Sequence, residues 1–160
     1  MKCEWGRMKK AGIPTGFSLV ELIIVIALIS IVSAFAVPTW QKYTANTNLK
    51  TAAREVMADF SNAKQRAVEE NLKYSITFNV ADKNYALSTT DTGVTLWTKE
   101  LASFGNGILI DSITFTGSVV NFQKRGTASL GSVRLRNGLG STATITVNIT
   151  GRSRVEFDIK

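Results

Sequence analysis

The 160-residue sequence has no histidine and one cysteine, Cys3. Without histidine, the usual zinc ligand sets and any Ser-His or Cys-His catalytic pair are excluded. A lone cysteine excludes an internal disulfide. Cys3 sits in a basic leader with no apolar run ahead of it, so it does not read as a lipid attachment site. The phosphate-binding glycine-lysine loop, the dinucleotide-binding glycine fingerprint and the EF-hand loop are also absent. Glu69 and Glu70 are adjacent and diverge around a helix instead of sharing a site. No catalytic constellation emerges, so neither enzyme activity, a cofactor nor a metal is expected.

Apolar residues make up 44% of the chain and charged ones 19%, which excludes a disordered tail. The length suits one globular domain plus a targeting segment. The net charge of +7 is unevenly spread. Residues 1–16 carry Lys2, Arg7, Lys9 and Lys10 against Glu4. Residues 121–160 carry seven basic side chains against Glu156 and Asp158, and the stretch between is close to neutral. A basic leader before an apolar run is a topological signal. A basic C-terminal quarter is either an anion-binding surface or a solvated face.

From Phe17 to Val37 the sequence reads FSLVELIIVIALISIVSAFAV, 21 residues whose one charge is Glu21. As a helix this run measures about 31 Å, enough to cross a bilayer core. The preceding charges put the leader on the cytoplasmic side and the remainder outside. Pro38 cannot donate to the Ala34 carbonyl, so a kink or local break is expected there. Beyond it, Leu49, Ala53, Val56, Phe60, Ala63 and Ala67 form one apolar stripe at helical spacing. A long helix is thus expected over about 17–71, apolar all round in residues 17–37 and amphipathic in residues 38–71.

The period then changes to two. Tyr74, Ile76 and Phe78 alternate with polar residues, and Ala81-Asp82-Lys83-Asn84 forms a turn into Tyr85 and Leu87. A looser stretch follows, with turn signals at 91–93 and 105–107. Strands are expected again at 113–115, 119–122, 133–136, 144–150 and 154–159. The clean alternation of the last three suits an antiparallel sheet with one wet face, its dry face covered by the apolar stripe of the helix. Trp40, Trp97 and Phe104 are expected to pack in the core or at a membrane interface.

Gly16-Phe17-Ser18-Leu19-Val20-Glu21, between basic leader and apolar run, resembles the prepilin cleavage and methylation signal of type IV pilins and type II secretion pseudopilins. The resemblance implies cleavage between Gly16 and Phe17 by a prepilin peptidase/methyltransferase. It also implies an N-methylated Phe17 and a role for Glu21 at the fifth mature position. A carboxylate at membrane depth is costly and usually marks function. After cleavage the Phe17 amine lies one helical turn from Glu21, at the positive end of the helix dipole. Pairing within one helix and pairing between neighbouring subunits are both open. The family resemblance favours the second, which would give assembly its direction and register. A competing reading is a secretory signal with an A-x-A site at Ala34-Phe35-Ala36 and a soluble secreted domain from Val37. The length of the apolar run, Glu21 within it and the stripe beyond Pro38 all oppose that. Translation from Met1 or from Met8 would give the same mature chain.

The segment GSVRLRNGLGSTATITVNITGRSRVEF is similar to the C-terminal domain of the GspH/FimT family of minor pseudopilins and minor pilins. Gly151-Arg152-Ser153-Arg154 matches that family's terminal glycine-arginine-x-arginine pattern, and Phe122-Gln123-Lys124-Arg125-Gly126 resembles its earlier glycine turn. Thr150 to Ser153 is expected to be a turn between strands, with Gly151 at positive φ. Arg152 and Arg154 would share a face of an extended chain, as would Arg134 and Arg136. Some members of the family are implicated in DNA uptake through this motif, and arginine suits phosphate. No aromatic residues interleave with these arginines, so any such binding would be to backbone.

The resemblance implies an α+β pilin-like fold: leader 1–16, transmembrane helix 17–37, its amphipathic continuation 38–71, and a β-rich domain 72–160. It implies a minor pilin or pseudopilin, because mature chains would lack the C-terminal disulfide usual in major pilins. The expected partners are the peptidase, other pilins or pseudopilins through Phe17, Glu21 and Pro38, the bacterial inner membrane with the C-terminal domain on the periplasmic side, and DNA as an alternative.

Overall fold

The computed structural model describes residues 16–160, with the side chains of residues 35 and 36 excepted. The leader up to residue 15, including Cys3 and Met8, lies outside the described residues. The chain divides into two compact units, Met1–Pro38 and Thr39–Lys160.

In the first unit, helix α1 (Leu19–Glu69) begins after Ser18. Ser18 caps it: its Oγ accepts from the Val20 N–H at 3.3 Å and its carbonyl accepts from the Leu22 N–H at 3.1 Å. The apolar side chains from Leu19 to Val32 are exposed throughout, so none of the described residues covers them. α1 is long and apolar enough to cross a membrane. The Ser30 hydroxyl is satisfied inside the helix, donating to the Ile26 carbonyl at 2.7 Å. Of the kink or local break expected at Pro38, the break does not end the helix: Pro38 lies inside α1. Its missing N–H removes one bond of the ladder without ending the helix.

In the second unit α1 continues to Glu69, two residues short of the expected end. Asn71, at φ 53, then turns the chain. Eight strands follow: β1 (Tyr74–Asn79), β2 (Asn84–Thr89), β3 (Thr95–Glu100), β4 (Leu109–Ile113), β5 (Val119–Phe122), β6 (Gly131–Arg136), β7 (Thr142–Val147) and β8 (Ser153–Asp158). They form two four-stranded antiparallel sheets where the sequence suggested one, with orders β3-β2-β1-β5 and β4-β6-β7-β8. β3 was missed because it is a sheet edge with little burial, so its sequence Thr-Leu-Trp-Thr-Lys-Glu shows no apolar alternation. β4 lies earlier than expected, with a register shift between Ile110 and Ser112, and the buried Phe115 follows it.

The predicted stripe from Leu49 to Ala67 is fully buried, together with Ala52. It meets Tyr74, Ile76, Tyr85, Leu87, Val120 and Phe122 of one sheet and Val133, Leu135, Ala143, Ile145 and Val147 of the other in a single core. Phe60 sits among aromatic rings, with centroids 6.0 Å from Phe78, 6.5 Å from Phe115 and 6.0 Å from Phe122. Trp97 and Phe104 pack against this core.

One polar cluster interrupts the helix stripe. Asp59, 7% exposed, accepts from the Tyr85 hydroxyl at 2.7 Å and from Lys99 Nζ at 2.8 Å, and Lys99 also reaches Glu55 at 2.8 Å. Burial alone would lower the Lys99 pKa, but its bonds to Asp59 and Glu55 outweigh that and hold it above the usual lysine value. Burial, and then the bond to Asp59, pushes the Tyr85 hydroxyl up. The cluster fastens α1 to β2 and to the edge strand β3, which has little apolar burial of its own.

Candidate functional site

The N-terminal site lies in the first unit. Gly16 has open space around it: a Cβ placed there would meet nothing within 4 Å. Phe17 is 86% exposed and precedes the helix, so the Gly16–Phe17 bond lies in accessible, non-helical chain. Glu21 falls in the first turn of α1, where the orphan N–H groups and the dipole favour a negative charge. Among the described residues it has no ion-pair partner. An accessible bond, a capped helix start and an unpaired carboxylate on an uncovered apolar helix are thus brought within six residues.

The C-terminal arginines lie in the second unit, and the structure separates them. Antiparallel register places Arg134 beside Thr144 and Glu156, Arg136 beside Thr142 and Asp158, and Ser132 beside Thr146 and Arg154. Arg134, Arg136 and Arg154 therefore share the wet face of one sheet. They are met there by carboxylates: Arg134 and Arg136 lie 3.9 and 3.7 Å from Asp111, and Arg154 lies 2.6 Å from Glu156. Asp111 comes from β4, outside the basic C-terminal quarter, so no local pattern signals that it offsets these charges. Of the two readings open for the basic C-terminal quarter, this face of mixed sign fits the solvated one.

Arg152 is different. It ends a turn that begins at Asn148, earlier than the expected turn. The Asn148 carbonyl accepts from the Gly151 N–H at 2.8 Å, and its Oδ1 accepts from the Arg152 N–H at 2.9 Å and from the Thr150 hydroxyl at 2.8 Å. Gly151 has φ 68, as expected, and a second constraint besides: a Cβ there would lie 2.7 Å from the Gly126 carbonyl and 2.9 Å from Lys64 Cδ. The two glycine turns thus pack on each other and on α1, where Lys64 Nζ donates to the Thr150 carbonyl at 2.9 Å. Arg152 and Lys64 line a groove of about 600 Å³ with Ser61, Gln65, Val68, Glu69, Gly151 and Ser153, so one carboxylate shares it. Neither makes an ion pair among the described residues. Arg152 and Arg154 come together only in a smaller adjoining groove with Thr146 and Asn148. Nothing in the sequence around Lys64 points to a turn 86 residues away.

Comparison with known proteins bears on the N-terminal segment and on the fold. Residues 15–37 match the family model described as the prokaryotic N-terminal methylation motif. A fimbrial protein of Pseudomonas aeruginosa is 37% identical over 76 residues, 48% of this chain and 49% of that protein. The chain spans about half the length of the curated relatives it matches. The minor pseudopilin EpsH from the type 2 secretion system of Vibrio cholerae superposes with a TM-score of 0.58 at 11% identity, over 69% of this chain and 97% of that one. The type IV minor pilin FimU of Pseudomonas aeruginosa gives 0.55 at 17% identity, over 71% and 92%. The chain therefore has the fold of these two proteins, a long N-terminal helix followed by an antiparallel β domain.

Proposed function

We propose that the pilin-like chain is a minor subunit of a type II secretion pseudopilus or type IV pilus, matured by a prepilin peptidase and assembled through its N-terminal helix. The observation that carries this is the unpaired Glu21 in the first turn of an uncovered apolar helix, next to an open Gly16–Phe17 bond. Residues 17–37 span the inner membrane, 38–71 continue as the amphipathic helix, and 72–160 form the domain on the periplasmic side. Cleavage after Gly16 frees the Phe17 amine. On assembly, Glu21 of an incoming subunit neutralises that amine on its neighbour, which removes two unpaired charges from the apolar layer. Pro38, by interrupting the ladder just past the apolar run, gives the helix a place to adjust as the subunit leaves the bilayer. Intact-mass and N-terminal peptide analysis from native membranes should find N-methyl-Phe17 as the first residue. A chain beginning at Val37 would instead establish the secretory-signal reading.

A second reading, contact with the phosphate backbone of DNA, is favoured by one observation: Arg152 and Lys64 rim one groove and neither is ion-paired among the described residues, Glu69 being the one carboxylate that lines the groove with them. Arg154, Arg134 and Arg136 are less suited, since each has an acidic neighbour. Each phosphate contact adds about 0.9 to the magnitude of the log-affinity against log-salt slope. Arg152→Ala with Lys64→Ala should lower that magnitude by up to about 2, and Arg134→Ala with Arg136→Ala by less. Equal losses would reduce the effect to net charge. No salt-sensitive binding of duplex DNA by the wild-type chain would end this reading.

A further inference from the structure

Beyond Val37, Trp40 and Tyr43 are the most exposed aromatic side chains, at 70% and 66%. They lie three residues apart on one face of α1, with ring centroids 6.2 Å apart. Neither the Trp40 indole N–H nor the Tyr43 hydroxyl has a hydrogen-bond partner among the described residues. Lys42, between them, is exposed and has no carboxylate on it. Trp97 and Phe104 pack against the core, whereas Trp40 and Tyr43 do not.

Each ring has an apolar body and a polar tip, and neither is satisfied by the protein. Such a side chain suits a boundary where one side is hydrocarbon and the other wet. The sequence puts the pair at such a boundary. Phe17–Val37 is 21 residues long, about 31 Å as a helix, which matches the thickness of a bilayer's hydrocarbon core. Trp40 follows three residues after that run ends. Tryptophan and tyrosine are enriched at headgroup depth, and a lysine there can meet lipid phosphate.

We propose that Trp40 and Tyr43, assisted by Lys42, form an interfacial anchor that seats in the headgroup layer of a phospholipid bilayer. It fixes the depth of the apolar run, and with it the depth at which Glu21 waits before assembly. The proposal rests on the reading of residues 17–37 as a membrane span. It commits to lipid over a neighbouring subunit because the two unsatisfied polar tips, the free lysine and the adjoining apolar run all fit a headgroup boundary.

The test uses the full chain carrying Trp5→Phe and Trp97→Phe, so that Trp40 is the one fluorophore, in phosphatidylcholine–phosphatidylglycerol vesicles. Emission should be blue-shifted from its value in water, and lipids brominated near the headgroup should quench it more than lipids brominated near the acyl-chain ends. In a Cys3→Ser, Ser33→Cys background, Trp40→Ala with Tyr43→Ala should change the labelling of Cys at 33 by a membrane-impermeant maleimide. Failure of the chain to float with the vesicles would overturn the span and the anchor together. Flotation with water-like, unquenched emission would overturn the anchor alone and point to a neighbouring subunit as the occupant. Strongest quenching by the deepest bromines, or labelling unchanged by the double substitution, would also overturn it.

Discussion

Glu21→Ala is expected to be cleaved and inserted normally and to be nearly absent from filaments. Insertion should not suffer, because the substitution removes the one charge of the apolar run. An ionisable side chain at membrane depth costs about 2.5–3.5 kcal/mol, and this cost is relieved only when a partner neutralises it. If that partner is a neighbour's Phe17 amine, losing the carboxylate leaves the amine unpaired, and a similar free energy disappears from the subunit contact. At about 1.4 kcal/mol per tenfold, incorporation should fall on the order of 100-fold. Quantifying the subunit in sheared filaments against its amount in the membrane would measure this. Glu21→Gln should behave like Glu21→Ala, since charge is the operative property. Incorporation at the wild-type level would mean that Glu21 serves only its own helix.

The second large effect is on stability. Phe60→Ala should destabilise the domain by about 3–5 kcal/mol. Phe60 is 1% exposed and lies at the meeting of α1 with rings from β1 and β5 of one sheet and from the segment that follows β4 of the other. Truncation would remove edge-on and tilted ring contacts as well as area, and the surrounding aromatics are too rigid to fill the space. Urea unfolding of residues 39–160 should show a lower midpoint with little change in slope. Trp40→Ala offers the comparison: a larger aromatic is lost from an exposed position, and the shift should stay within about 0.5 kcal/mol.

The sequence made some elements legible because their signal is local. The buried stripe of α1, the alternation of β1, β6 and β7, and the prepilin-like hexapeptide are all written in neighbouring residues. The second sheet was not legible. Alternation tells which face of a strand is dry, but strands of one sheet and of two sheets on the same helix read alike. β3 gave no pattern because its stability is borrowed from Lys99 reaching Asp59 and Glu55 on α1, a polar contact across at least 40 residues. The same limit applied to the arginines. Their spacing told which share a face, but not that Asp111 would stand beside Arg134 and Arg136, nor that Lys64 would join Arg152.

The packing of the Gly151 turn against the Gly126 carbonyl and Lys64 bears on how the glycine-arginine-x-arginine string should be weighed in any sequence. Half of that string is a steric requirement. A side chain at 151 would have to push one turn off another, whatever the arginines do. Persistence of the glycine across relatives would then record the fit of two loops, and only the arginine positions could report on a ligand. Substitutions at 151 should be tolerated where the loop around 126 has shifted, so the two sites would drift as a pair while Arg152 varies on its own.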